Sequence, residues 1–191
     1  MATCSNCKAE LKPGKKFCTN CGTAVNVQTT KTEEPINAIE GPTDAAEQLA
    51  LGDKYYKGEG VPQDYIKAVY WFTKAAEQGN AIAQYNLGVC YYEGEGVQQD
   101  HAKAVYWFTK AAEQGNAIAQ YGLGVCYKKG KGMSQDYAKA VYWYTKAAEQ
   151  GYASAQFQLG NCYFLGEGIS VDEEKAMYWY TNAAEQGYTV S

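Results

Sequence analysis

At 191 residues the chain is long enough for one ordinary domain, or for a small module joined to a larger one. All 17 of its basic residues are lysines and its formal charge is −4, which disfavours nucleic acid, because bidentate phosphate and guanine recognition belongs to arginine. No apolar run approaches a membrane span and the N-terminus lacks the apolar core of a secretory signal, so the reading is a soluble, cytoplasmic chain that does not insert into membranes.

The first element, residues 1–23, contains no Tyr or Trp and is too short and polar to fold on a core of its own. It carries Cys4-x2-Cys7 and Cys18-x2-Cys21, two knuckles ten residues apart. Four thiolates so spaced match a tetrahedral Zn²⁺ with no open position, which predicts one structural ion held by Cys4, Cys7, Cys18 and Cys21. Two disulfides are the competing reading, and a reducing compartment disfavours them. The string CSNCKAELKPGKKFCTNCG resembles the short zinc-ribbon modules found at the N-termini of many bacterial multidomain proteins. It departs from their pattern at Lys8, where the first knuckle normally has Gly. Lys8, Lys12, Lys15 and Lys16 open an alternative function, nucleic-acid association through phosphate contacts, with only Phe17 available for stacking.

Residues 24–43 lack periodicity and contain Pro35 and Gly41-Pro42, as a flexible linker does. A chain of that length spans roughly 25 Å root-mean-square.

Beyond the linker the sequence repeats itself. Trp71, Trp107, Trp143 and Trp179 recur every 36 residues, as do Cys90, Cys126 and Cys162. The runs KAAEQG and NAAEQG close four copies, 44–79, 80–115, 116–151 and 152–187, leaving a tail at 188–191. Within a copy, Ala83, Leu87 and Tyr91 fall on one helical face, flanked by Gln84 and Gly88, and this first helix ends at Gly94 and Gly96. Asp64, Asp100, Asp136 and Asp172 stand where an N-cap carboxylate opens a second helix, predicted to bury Ala104, Trp107, Phe108 and Ala111. Gly52, Gly88, Gly124 and Gly160 share one slot inside the first helix, which predicts close approach of the paired backbone there. Such short hairpins cannot bury an apolar face alone and must stack. Cys90, Cys126 and Cys162 read as small buried residues, too far apart for disulfides.

The run Leu-Gly-x-x-Tyr-x-x-Gly-x-Gly at Leu87 to Gly96, followed by Asp100, Lys103-Ala104, Trp107 and Lys110-Ala111-Ala112, resembles the Sel1-like repeat family, a relative of tetratricopeptide proteins. The resemblance implies an all-α, right-handed α-solenoid of four 36-residue hairpins used as a scaffold or adaptor for another protein or peptide. It also implies that first helices line the concave side.

Opposite Leu87 on its helix stand Ile82, Tyr85, Val89 and Tyr92, matched by Leu49 and Tyr56 in the first copy, by Ile118, Tyr121 and Val125 in the third, and by Phe157, Asn161 and Phe164 in the fourth. An aromatic strip on a nominally outward face suggests a peptide-binding groove; burial between neighbouring copies is the other reading. Asp53-Lys54 replaces Val89-Cys90 in the first copy, as a polar cap would, while Met177, Tyr178 and Tyr180 point to an apolar edge or self-association at the last. Catalysis finds little support. The single histidine, His101, takes a place held by Tyr65 and Tyr137 and reads as a helix-surface residue, and the one Ser-x-x-Lys, Ser5 to Lys8, lies inside the zinc knuckle. A hydrolase of the cysteine-rich Sel1-like type is correspondingly the weakest of the three functions.

Overall fold

The computed structural model describes residues 41–188; the expected zinc module, most of the expected linker and residues 189–191 lie outside them. The described residues form eight α-helices of 13 residues each: α1 (Ala45–Lys57), α2 (Tyr65–Glu77), α3 (Ala81–Glu93), α4 (His101–Glu113), α5 (Ala117–Lys129), α6 (Tyr137–Glu149), α7 (Ala153–Leu165) and α8 (Glu173–Glu185). They pair as hairpins α1–α2, α3–α4, α5–α6 and α7–α8, and the second helix of each packs on the first helix of the next.

Polar side chains set where each helix begins. The carboxylates of Asp64, Asp100, Asp136 and Asp172 accept from the backbone N–H three residues on, as the sequence predicts for second helices. Asp44, Asn80 and Asn116 do the same for α1, α3 and α5, whereas Tyr152 leaves α7 without a side-chain cap. First helices end in a left-handed residue such as Gly94, at φ 82°. Gly96, at φ 71°, has a second reason to be glycine, because a Cβ there would drive into the Tyr65 carbonyl of the preceding hairpin.

The glycine inside each first helix has a cause different from the one expected. The close neighbour is an aromatic ring rather than the backbone of the paired helix: a Cβ on Gly88 would stand 2.6 Å from Cδ1 of Phe108. Phe72 covers Gly52, Tyr144 covers Gly124 and Tyr180 covers Gly160 in the same way. A flat ring laid against bare backbone packs the two helices of the hairpin closely.

The apolar cores lie between hairpins. Ala68, Val69, Phe72, Ala75 and Ala76 of α2 close on Ala83, Leu87 and Cys90 of α3. Equivalent clusters join α4 to α5 and α6 to α7. Each hairpin therefore buries its apolar face only by stacking, as the short helices require. Trp71 is buried, but Trp107, Trp143 and Trp179 are half-buried, correcting the expectation for Trp107, which packs at the margin of the core shared by α2 and α3.

A row of buried glutamines runs through the stack. Gln84 Oε1 accepts from Gln114 Nε2 at 2.8 Å within its own hairpin, while Gln84 Nε2 donates to the Ala76 carbonyl of the preceding one at 3.1 Å. Gln120 and Gln156 repeat both bonds at their own junctions. These glutamines tie an end-of-helix carbonyl, which also accepts from the backbone N–H of Gly79, Gly115 or Gly151 in the turn, to the next hairpin.

Candidate functional site

The first helices α1, α3 and α5, with Tyr152 before α7, bring seven of the predicted strip residues together in two adjoining concavities. One, of about 220 Å³, is lined by Asp53, Tyr56 and Lys57 of α1, Phe72 of α2, and Tyr85, Asn86 and Val89 of α3. The other, of about 250 Å³, runs from Tyr85, Val89, Tyr92 and Glu93 of α3 to Ile118, Tyr121, Gly122 and Val125 of α5, with Phe108 and Tyr152. Tyr85 and Val89 line both, so the two concavities adjoin along α3.

The predicted strip residues divide by burial. Ile82 is 53% exposed and Ile118 40%, while Leu49, Tyr56, Tyr85, Val89, Tyr92, Tyr121, Val125, Phe157 and Asn161 are half-buried. Tyr85 and Tyr121 lean on Phe108 and Tyr144, at 5.9 Å between ring centroids, and also line the second concavity. Burial raises both phenols above their usual range, so they are hydroxyl donors at neutral pH. Asn161 is committed elsewhere, its Oδ1 accepting from Tyr180 at 2.8 Å. Leu49, Ile82, Phe157 and Phe164 lie outside both concavities, Phe157 packing against the rings of Tyr180 and Tyr188 and Phe164 standing 55% exposed.

Asp53 does not act as a solvent-facing cap. It accepts from Asn86 Nδ2 of the second copy at 3.1 Å, and burial raises its carboxyl pKa, whereas Lys54 is exposed. At the other end, Phe164, Leu165, Val171, Met177 and Tyr178 are each more than half exposed, although Val69 and Val141, which match Met177, are 8% exposed under the next hairpin.

A second line of cross-junction pairs went unread in the sequence. Tyr56 donates to Glu95 Oε2 at 2.6 Å, Lys131 lies 4.8 Å over the Tyr92 ring, and Lys128 Nζ meets Glu167 at 2.8 Å. One structural slot pairs with another in the following copy, but the partners change each time. Burial, with the Glu95 carboxylate, holds the Tyr56 hydroxyl well above its usual range.

Cys90, Cys126 and Cys162 are free and buried. Burial pushes the Cys90 thiol up to about 12 and those of Cys126 and Cys162 to about 11, so none is a thiolate nucleophile at neutral pH. His101 is half-buried with its ring 4.9 Å from that of Tyr92. Among the described residues no cluster of three His, Cys, Asp or Glu side chains could hold a metal, and no helix is long and apolar enough to cross a membrane.

Stacked hairpins with inter-hairpin cores and a lined groove define a helical-repeat protein. Residues 44–80, 81–116, 117–152 and 153–188 each match the Sel1 repeat, and the chain belongs to that family. Sel1-repeat proteins are generally protein-interaction scaffolds. Among solved structures, a protective antigen present in uropathogenic Escherichia coli strains is 46% identical with a TM-score of 0.75, covering 76% of this chain and 31% of its own. A Sel1 repeat protein from Oxalobacter formigenes is 38% identical with a TM-score of 0.72, covering 76% and 60%. Cysteine rich protein B of Helicobacter pylori is 25% identical with a TM-score of 0.53, covering 69% and 94%. The chain thus spans less than two thirds of the length of the first two. A search of curated proteins finds no match.

Proposed function

We propose that this chain is a non-enzymatic adaptor that holds a segment of a partner protein along the first-helix groove. The observation that supports the reading is that two concavities adjoin at Tyr85 and Val89 and are lined by the aromatic rings of Tyr56, Phe72, Tyr85, Tyr92, Phe108, Tyr121 and Tyr152. Rigid aromatics contribute large contact area at small entropic cost, which suits them to recognition. The test is a pull-down from native lysate with the wild type and a Tyr85→Ala/Tyr121→Ala/Phe157→Ala variant, checked for an unchanged helical spectrum. A protein retained by the wild type and lost by the folded variant supports the groove; identical retention refutes it.

The zinc module belongs to the same proposal. Cys4, Cys7, Cys18 and Cys21 would hold one structural Zn²⁺ in a reducing, cytoplasmic setting, and elemental analysis of the purified full chain should return one equivalent of zinc. Loss of that equivalent in Cys4→Ser/Cys18→Ser, with the helical spectrum intact, assigns the metal to the module. A metal-free wild type purified without chelator overturns it.

A further inference from the structure

The three junctions of the stack differ at one place on the groove floor. Between the first two hairpins, Asp53 and Asn86 close a polar clasp over the neighbourhood of Phe72. Between the second and third, the same two positions are Val89 and Gly122, and no clasp forms. A Cβ on Gly122 would meet only the Phe108 ring carbons, at 3.8 Å, so a side chain fits here without strain, and glycine leaves a notch at the half-buried position 122 beside that ring, which is itself 4% exposed. The walls of the space are Tyr85, Tyr121, Tyr152, Ile118, Val89 and Val125.

Building on the groove reading, we infer that the concavity around Gly122 is the anchor point for an extended segment of a partner protein that inserts one bulky apolar side chain into the notch at Gly122 and sets a lysine or arginine beside Glu93. The apolar part follows from the lining, whose volume of about 250 Å³ accepts a large aliphatic or aromatic group. The basic part follows from charge. Glu93 is the one charged residue of the lining, is exposed, and makes no ion pair with a described residue. The extended backbone follows from donors: among the described residues the Tyr85 and Tyr121 hydroxyls have no hydrogen-bond partner, and they stand in the walls where carbonyl groups of such a segment would run.

The test uses the full chain as bait for a phage-displayed library of random peptides, with the selected peptide then synthesised and titrated. Gly122→Gln fills the notch with a residue that the fourth copy already carries at this position, Gln158, and removes a helix-interior glycine, so the variant folds. The expected result is a set of peptides with a large apolar residue near a lysine or arginine. Their Kd should rise roughly tenfold or more in Gly122→Gln, the scale of losing one buried apolar side chain. In Glu93→Lys it should rise about threefold or more, more steeply at low salt. Equal affinity for wild type and Gly122→Gln, or selection of acidic peptides, overturns the inference. Peptides sensitive to Tyr85→Ala/Tyr121→Ala but indifferent to Gly122→Gln and Glu93→Lys overturn the anchor and leave the groove standing; no enriched peptide at all counts against both. A dimer of this chain dissolved by Gly122→Gln would give the notch to a second copy and likewise overturn it.

Discussion

Alanine at Gly122 and, separately, at Gly124 places the same methyl group on α5 two residues apart, and the two should change stability in opposite directions. Removing a helix-interior glycine contributes about 1 kcal/mol in either variant. At Gly122 the new Cβ meets only Phe108 at 3.8 Å, an ordinary contact, so the gain is kept. At Gly124 it would stand 2.6 Å from Cδ1 and Cε1 of Tyr144, about 1 Å inside comfortable carbon–carbon separation. Tyr144 is 1% exposed and has Tyr121 against it, so its ring cannot swing clear. Overpacking of this kind costs about 2 kcal/mol, which outweighs the helix gain and leaves Gly124→Ala about 1 kcal/mol less stable than wild type. The gap between the two variants is therefore about 2 kcal/mol, or roughly 4 to 8 °C in Tm for a domain of this size. Urea and thermal unfolding followed by far-ultraviolet circular dichroism measure it. A Gly124→Ala chain that melts as high as Gly122→Ala refutes the ring-on-glycine account of the hairpin.

Reversing one charge of the Lys128–Glu167 pair, 2.8 Å apart and with both side chains less than a third exposed, should cost about 1 kcal/mol in urea unfolding; Lys128→Glu/Glu167→Lys should recover most of it. Gln84→Leu removes a donor to the Ala76 carbonyl and the acceptor for Gln114, and should cost about 1 to 2 kcal/mol; Gln114→Leu, which strips a partner on the exposed side, should cost less by the same measurement. The N-cap carboxylates of Asp100, Asp136 and Asp172 are held below their usual range, first by the N–H of Lys103, Lys139 and Lys175. As pH falls, the unfolded chain takes up protons at these positions before the native one does, so their contribution is complete above about pH 4 and is lost below it. The urea midpoint should drop steeply with acid in the wild type and less steeply in Asp100→Asn/Asp136→Asn/Asp172→Asn, in which the amide still caps without titrating.

The period of 36, the hairpins and the aspartate caps were legible because each depends on residues close in sequence that recur in every copy. The glycine slot was legible as a slot, yet its cause was not: a spacing argument cannot distinguish a ring from a backbone, and the ring of Phe108 lies 20 residues downstream of Gly88. Gln84 and Gln114 also recur in every copy beside buried positions, a signal that a polar group was being satisfied inside the stack, but helical periodicity does not connect residues 30 apart. The cross-junction pairs escaped for the opposite reason. Tyr56–Glu95, Tyr92–Lys131 and Lys128–Glu167 share geometry and no chemistry, so nothing repeats for the eye to find. The strip residues lie on the first helices, as their periodicity implied, but which of them wall a cavity and which are spent on neighbours depends on packing that residue type alone does not encode.

Those three pairs set a rule for how such an array can grow by tandem duplication. Tyr56 and Tyr92 tolerate either sign opposite them, a carboxylate through the hydroxyl or an ammonium over the ring. Inserting another copy of the second unit would therefore set a tyrosine against glutamate at the new seam, a match already present in the chain. Doubling the third unit would instead bring a Lys128 equivalent to face a Lys131 equivalent, two ammonium groups at a half-buried seam. Lengthening is thus open at one unit and penalised at the next, and the order of the copies is constrained by the charges at their borders.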